Sequence, residues 1–146
     1  CKGWGVWRMK GLDTNVLVRF LVDAEGDPEQ HAIAADYIQS HCSVEEPCYV
    51  SGIVLCELAW VLQRAYKIPK IEIADQIAAL LEAQQLVVAD RDLSRRALAD
   101  FRESSADFPD HLIAWLGHAA GADETATFDK KAGKQPLFHY IGGESR

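Results

Sequence analysis

Four carboxylates stand where a parallel α/β fold would bring them to one edge. Asp13 closes the short run 9–13, Glu57 lies in an amphipathic stretch, Asp110 ends Asp107-Phe108-Pro109-Asp110, and Asp129 follows the expected strand 125–128. Like charges brought together repel, so a cluster of acids persists mainly where a cation neutralises it. All-oxygen ligands are hard, which selects Mg2+ or Mn2+ over zinc. Carboxylates holding such a metal suit phosphodiester cleavage, where the metal activates water and stabilises the leaving oxygen.

Each acid also has an ordinary structural use. Asp13 sits in Gly11-Leu12-Asp13-Thr14-Asn15, where one capping residue would suffice and three occur. At 100° per residue, Val54, Leu58, Val61 and Ala65 form an apolar arc with Glu57 at its rim, near Arg64. A carboxylate entering a core stripe has to be paired, hydrogen-bonded or metal-bound, and an ion pair with Arg64 is the structural alternative. Asp107 as cap and Asp110 at the third position satisfy a helix start by themselves. They leave unexplained why Asp110 adjoins Leu112, Ile113, Leu116 and Ala119, which are expected to face the sheet. Asp129 precedes Lys130, Lys131 and Lys134, a solvated charge run or a set of phosphate contacts.

The elements that must position these groups follow from caps and periodicity. Thr14 or Asn15 can cap a helix over 16–22, and Pro28 opens a second through about Ser40. A strand is expected at 48–50, with Ser51 capping a helix to about Tyr66. Pro69 opens another helix to about Ala83, and 85–89 reads as a buried strand. Residues 91–103 are helical and highly charged, and Asp107 to Pro109 start a helix ending near Gly121. Strands at 125–128 and 137–141 complete the pattern. Short strands separated by helices mean an α/β fold around a mostly parallel sheet, whose ligands bind outside the carboxyl ends of the strands.

The 146 residues suit one domain with a sizeable core. Fifteen Lys and Arg against 22 Asp and Glu give a net charge of −7, which argues against a general basic surface for nucleic acid. No apolar run approaches a membrane span and no secretory signal is evident. Residues 1–8, with Trp4 and Trp7 ahead of the sole methionine, Met9, read as an upstream extension. His41, Cys42 and Cys48 hint at zinc but lack the ligand spacing of structural sites. Reduced thiols in a cytoplasmic protein are expected instead.

From Met9 to about Ile141 the chain resembles the PIN-domain nucleases, most closely the VapC-type toxins of bacterial toxin–antitoxin pairs. The resemblance rests on Gly11-Leu12-Asp13-Thr14-Asn15-Val16-Leu17, on Ser51 and Glu57 within 50–58, on Asp107 to Ala114, and on Thr127-Phe128-Asp129-Lys130-Lys131. It implies a three-layer fold with a five-stranded mostly parallel sheet and helices on both faces, the domain running over 9–141 with 142–146 as a tail. It also implies an Mg2+- or Mn2+-dependent endoribonuclease in which Asp13, Glu57, Asp110 and Asp129 form the acidic metal site. Asn15, Ser51 and Thr127 would be polar groups around it, and Asp107 is ambiguous beside Asp110. Lys130, Lys131, Lys134 and Arg64 are the candidate RNA contacts. The partners implied are RNA, a small antitoxin that inserts a segment into the groove, and a second copy of the chain. Two other functions compete. An aspartyl phosphotransferase or hydrolase usually wants a second acid two residues after the nucleophile, where Asn15 stands. A catalytically idle module would bind RNA or protein without cutting.

Overall fold

In the computed structural model, residues 8–22 and 26–143 are described. The expectations for 1–7 and 144–146 lie outside them. Six α-helices are α1 (Thr14–Leu21), α2 (Pro28–His41), α3 (Gly52–Arg64), α4 (Lys70–Glu82), α5 (Arg91–Glu103) and α6 (Phe108–Ala119). Four short strands are β1 (Cys48–Val50), β2 (Leu86–Val88), β3 (Thr125–Thr127) and β4 (Phe138–Tyr140), and a 3-10 turn spans Ala132–Lys134.

The caps explain most helix starts. Asp27 accepts from the Gln30 N–H ahead of Pro28, and Ser51 accepts from the Val54 N–H. In α1 the cap is Asp13 itself, whose carboxylate accepts from the Thr14 N–H, rather than Thr14 or Asn15. Asp107 and Asp110 form the reciprocal capping box of α6.

All strand pairing among the described residues is parallel. β1 pairs with β2 in the register Cys48↔Leu86, Tyr49↔Val87 and Val50↔Val88. Residues 10–12 flank β1 on its other side. There the Tyr49 N–H donates to the Lys10 carbonyl at 2.7 Å and the Leu12 N–H donates to the Tyr49 carbonyl at 2.9 Å. β3 pairs with β4 as a separate two-stranded sheet. The fold is α/β, but the five-stranded sheet is corrected to two short parallel pairs, with 10–12 contributing only a bridge through Gly11. Each strand is only three residues long, so most of the packing comes from the helices.

That packing centres on α3, α4 and α5. Leu55, Leu58, Leu62, Ile73, Ile77 and Leu81 are buried to 2% exposure or less, and α6 lies against both α5 and α3. Helices do not cover both sheet faces. Cys48 and Val50 are fully buried, whereas Tyr49 and its partner Val87 remain 38% and 39% exposed. The expectation of a fully buried strand at 85–89 is corrected accordingly. α6 likewise turns Phe108, His111, Leu112 and Ala114 inward and leaves Ile113 and Leu116 exposed.

Cys42 and Cys48 form a disulfide with Cα atoms 5.2 Å apart. This corrects the expectation that the thiols are reduced, and it removes both sulfurs from any zinc site. The bond ties the end of α2 to β1, closing a loop short enough to constrain the unfolded chain by about 2 kcal/mol. Cys56 is free. No helix among the described residues is long and apolar enough to cross a membrane.

Candidate functional site

The start of α6 and the turn after β3 meet in one open cleft. It is lined by Asp107, Asp110 and Asp129 together with Lys130, Lys131, Ser105 and Ala106. Asp110 is delivered by the capping box, in which its carboxylate accepts from the Asp107 N–H at 3.3 Å. Asp129 is held by its own turn. One of its oxygens accepts from the N–H groups of Lys131 and Ala132 at 2.8 and 3.1 Å, and the Asp129 N–H donates to the Thr127 hydroxyl at 3.0 Å. Thr127 thus shapes the Asp129 turn, as a polar neighbour of an acid would.

Glu57 lies on α3 and is not among the residues lining this cleft. The buried stripe of α3 runs through Val54, Leu55, Leu58, Ala59 and Leu62, so the expected arc through Val61 and Ala65 is displaced and Glu57 stands exposed. Its partner is not Arg64. The buried Thr14 hydroxyl donates to the Glu57 carboxylate at 2.7 Å, and Arg64 instead lies over the Trp60 ring at 4.7 Å. Thr14 is therefore the link that sequence reasoning missed: it follows Asp13 on α1 and grips Glu57 on α3. Its only signal was its place between Asp13 and Asn15.

Cys56 precedes Glu57 on α3. Burial pushes its thiol up to about 11, and the carboxylates of Asp110 and Glu57 push in the same direction. The thiol stays protonated at neutral pH. Asp13 is exposed at the start of α1 and lines another groove with Asn15, Arg19 and Tyr37. Ser51 is used as the α3 cap at 3.1 Å. Lys134 ends the 3-10 turn and, unlike Lys130 and Lys131, does not line the acidic cleft.

The donor chemistry fits a hard divalent cation: carboxylate oxygens from α3, α6 and the β3 turn, with Asp13 at the head of α1. Among the described residues, however, no three His, Cys, Asp or Glu side chains stand close enough to hold one as they are. Asp13, Asp110 and Asp129 are held by donors of their own turns, whereas Glu57 is held by Thr14 of α1.

Asp110 carries the clearest electrostatic cost. Burial pushes its carboxyl above the ordinary value of 3.8; the Asp107 N–H pulls it back, and the charges of Asp129 and Asp107 raise it further. A carboxyl whose folded pKa is raised favours the folded state in its protonated form. That contribution is complete below the unfolded pKa and is lost as pH rises through the folded value. Asp110→Asn keeps an oxygen for the Asp107 N–H and removes the charge. It is expected to raise the melting temperature at neutral pH, with the gain vanishing below about pH 3.8. Melting curves of the two proteins across that range, in chelator, check this, and a gain that persists undiminished in acid would rule out the charge as its source.

His111 follows Asp110 into the core. It is buried, and its imidazole is held below its ordinary pKa chiefly by that burial. Its Nε2 shares a 2.6 Å hydrogen bond with the Ser104 hydroxyl, which also accepts from the Ala106 N–H at 3.2 Å. This pins the loop that carries Asp107.

The sequence profile of the family described as PIN domain matches residues 11–135. No curated protein matches the chain.

Proposed function

The chain belongs to the PIN-domain family, and on that premise we propose that it is an Mg2+- or Mn2+-dependent endoribonuclease acting as the toxin of a VapC-type toxin–antitoxin pair. PIN domains are in general metal-dependent nucleases. The observation that carries the reading here is the convergence of Asp110 and Asp129 with Lys130 and Lys131 in one cleft. Acids that can hold a cation and lysines that can meet phosphate are the two things phosphodiester cleavage needs in one place.

In this reading Asp13, Glu57, Asp110 and Asp129 hold the divalent ion. When bound, the ion supplies an activated water and charge stabilisation at the scissile phosphate. Lys130 and Lys131 draw the RNA backbone to the cleft and orient it. Thr14 fixes the Glu57 carboxylate from below, the capping box fixes Asp110, and Asn15, Ser51 and Thr127 keep the surrounding turns in shape. Lys134 and Arg64 add positive charge farther from the acids. We assign residues 9–141 to the nuclease domain, with 1–8 and 142–146 flanking it.

The partner proposed is a small antitoxin with a basic segment, since a cleft of carboxylates accepts an arginine as readily as a metal. A homodimer and a cytoplasmic site of action complete the reading. The experiment is incubation of the protein with total RNA in Mg2+, with and without excess chelator, followed by mapping of new 5′ ends. Discrete chelator-sensitive cuts are expected. RNA left intact in millimolar Mg2+ or Mn2+ would reduce the protein to a binding module and end the nuclease reading.

A further inference from the structure

The acidic cleft does not end at Asp107. A second cavity of about 220 Å3 shares Ser105, Ala106, Asp107 and Lys131 with it and extends toward α3 and α4. Trp60, Gln63 and Lys70 line its far part. The cavity is smaller than the roughly 300–1,000 Å3 of drug-sized ligand sites, a scale that suits one flat heterocycle.

Its chemistry is distinctive for a chain of net charge −7. Trp60 is 50% exposed although it belongs to the helix that builds the core. A single exposed aromatic needs no explanation by itself; its surroundings supply one. The Arg64 guanidinium lies over the indole at 4.7 Å. The Lys70 ammonium is held over the Phe101 ring at 4.9 Å and donates to the Ser104 carbonyl. Lys131 stands where the two cavities join. An aromatic face, a side-chain amide and two lysines, Lys70 and Lys131, therefore line the cavity that adjoins the carboxylate cleft. Stacking on such a face is tolerant of base identity, because every base presents a π surface. The amide of Gln63 can read an edge, and the cations can meet the flanking phosphates.

We propose that this cavity is a nucleobase subsite for single-stranded RNA: a base stacks on Trp60 beside Gln63, and the phosphate that follows it is led past Lys131 toward Asp110 and Asp129. The assignment rests on the ribonuclease reading and names how that site engages its substrate. A protein partner on the same indole is the competing occupant. The mixture of cations and a cavity of one-base size favours RNA.

The test measures binding without cleavage. Fluorescence anisotropy in chelator compares a short labelled single-stranded RNA of mixed sequence with an oligomer of the same sugar–phosphate length lacking bases. The wild type is expected to prefer the base-bearing strand, and Trp60→Ala to cut that preference by at least about fivefold. Trp60→Phe, which keeps a stacking face, should retain most of it. No preference in the wild type overturns the proposal, as does an unchanged preference in Trp60→Ala, which is the result if the indole serves a protein interface. Equal weakening toward both oligomers would assign Trp60 to backbone contacts or to folding and also overturns it. Because no cut is required, RNA bound with this dependence yet left intact in Mg2+ would sink the nuclease reading and leave the subsite standing. Wild-type cleavage with an unchanged preference in Trp60→Ala would do the reverse.

Discussion

Asp110→Asn is expected to lose at least about a hundredfold in the rate of Mg2+-dependent RNA cleavage, and Asp13→Asn a similar amount. Both changes remove a charge and almost no volume. Asp110→Asn keeps an acceptor for the Asp107 N–H, so the capping box at the head of α6 survives. Asn replaces Asp equally well as the cap of α1. What each variant loses is the negative oxygen that attracts a dication and helps it stabilise charge at the phosphate. Single-turnover rates at saturating Mg2+, beside far-ultraviolet circular dichroism to show an intact fold, measure the loss. Either variant cutting RNA within a few-fold of wild type would remove that acid from the mechanism. The stability gain expected for Asp110→Asn at neutral pH sharpens the comparison, because a protein that melts later and cuts far more slowly cannot have failed by unfolding.

The second large effect concerns the scaffold beneath that acid. Phe108 opens α6 between Asp107 and Asp110, is 0% exposed, and meets Phe101 of α5 edge to face with centroids 6.1 Å apart. Truncating a buried aromatic of this kind costs about 3–5 kcal/mol through lost transfer energy and the cavity left behind. For a chain of this size that lowers the melting temperature by about 6–20 °C. Ile113, one turn and a half further on and 54% exposed, is the control; Ile113→Ala should move stability by no more than about 0.5 kcal/mol. A Phe108→Ala protein that melts within about 2 °C of wild type would mean that the α5–α6 contact carries little of the fold.

The helices were legible because their signals are local. Pro28, Ser51, Pro69 and Asp107 each announce a start through chemistry contained within one turn, and the observed helices begin at or beside them. The charged helix over 91–103 matches its expected bounds at both ends. The sheet was less legible because pairing joins segments far apart in the chain, and nothing in 9–13 reveals that only Gly11 bridges to a neighbour. Glu57 shows the same limit on a smaller scale. Its arc was judged from one helix alone, whereas the stripe that is buried depends on where α4 and α6 lie against α3. Thr14 could not be seen as the Glu57 partner from a separation of 43 residues. The Cys42–Cys48 bond is not legible in the sequence for another reason: a spacing of six residues carries no pairing signal, and only the fold brings the end of α2 and the start of β1 side by side.

The wholly parallel pairing has a kinetic consequence. An antiparallel hairpin can zip from its turn, but a parallel pair must wait for the chain to cross over and return. β1 and β2 are separated by both α3 and α4, so their pairing closes a long loop whose entropy is lost before any contact repays it. β3 and β4 are separated only by the turn after Asp129 and the 3-10 segment, and can close early or late without that barrier. Changes in α3 and α4 should therefore slow refolding, while changes in the β3–β4 unit should chiefly hasten unfolding. Chevron plots of Leu58→Ala and Tyr140→Ala would separate the two, and equal partition of both effects between the limbs would refute it. On this view Asp129 is mounted on the unit whose pairing closes the shorter loop, and its geometry is set locally rather than by the long crossover.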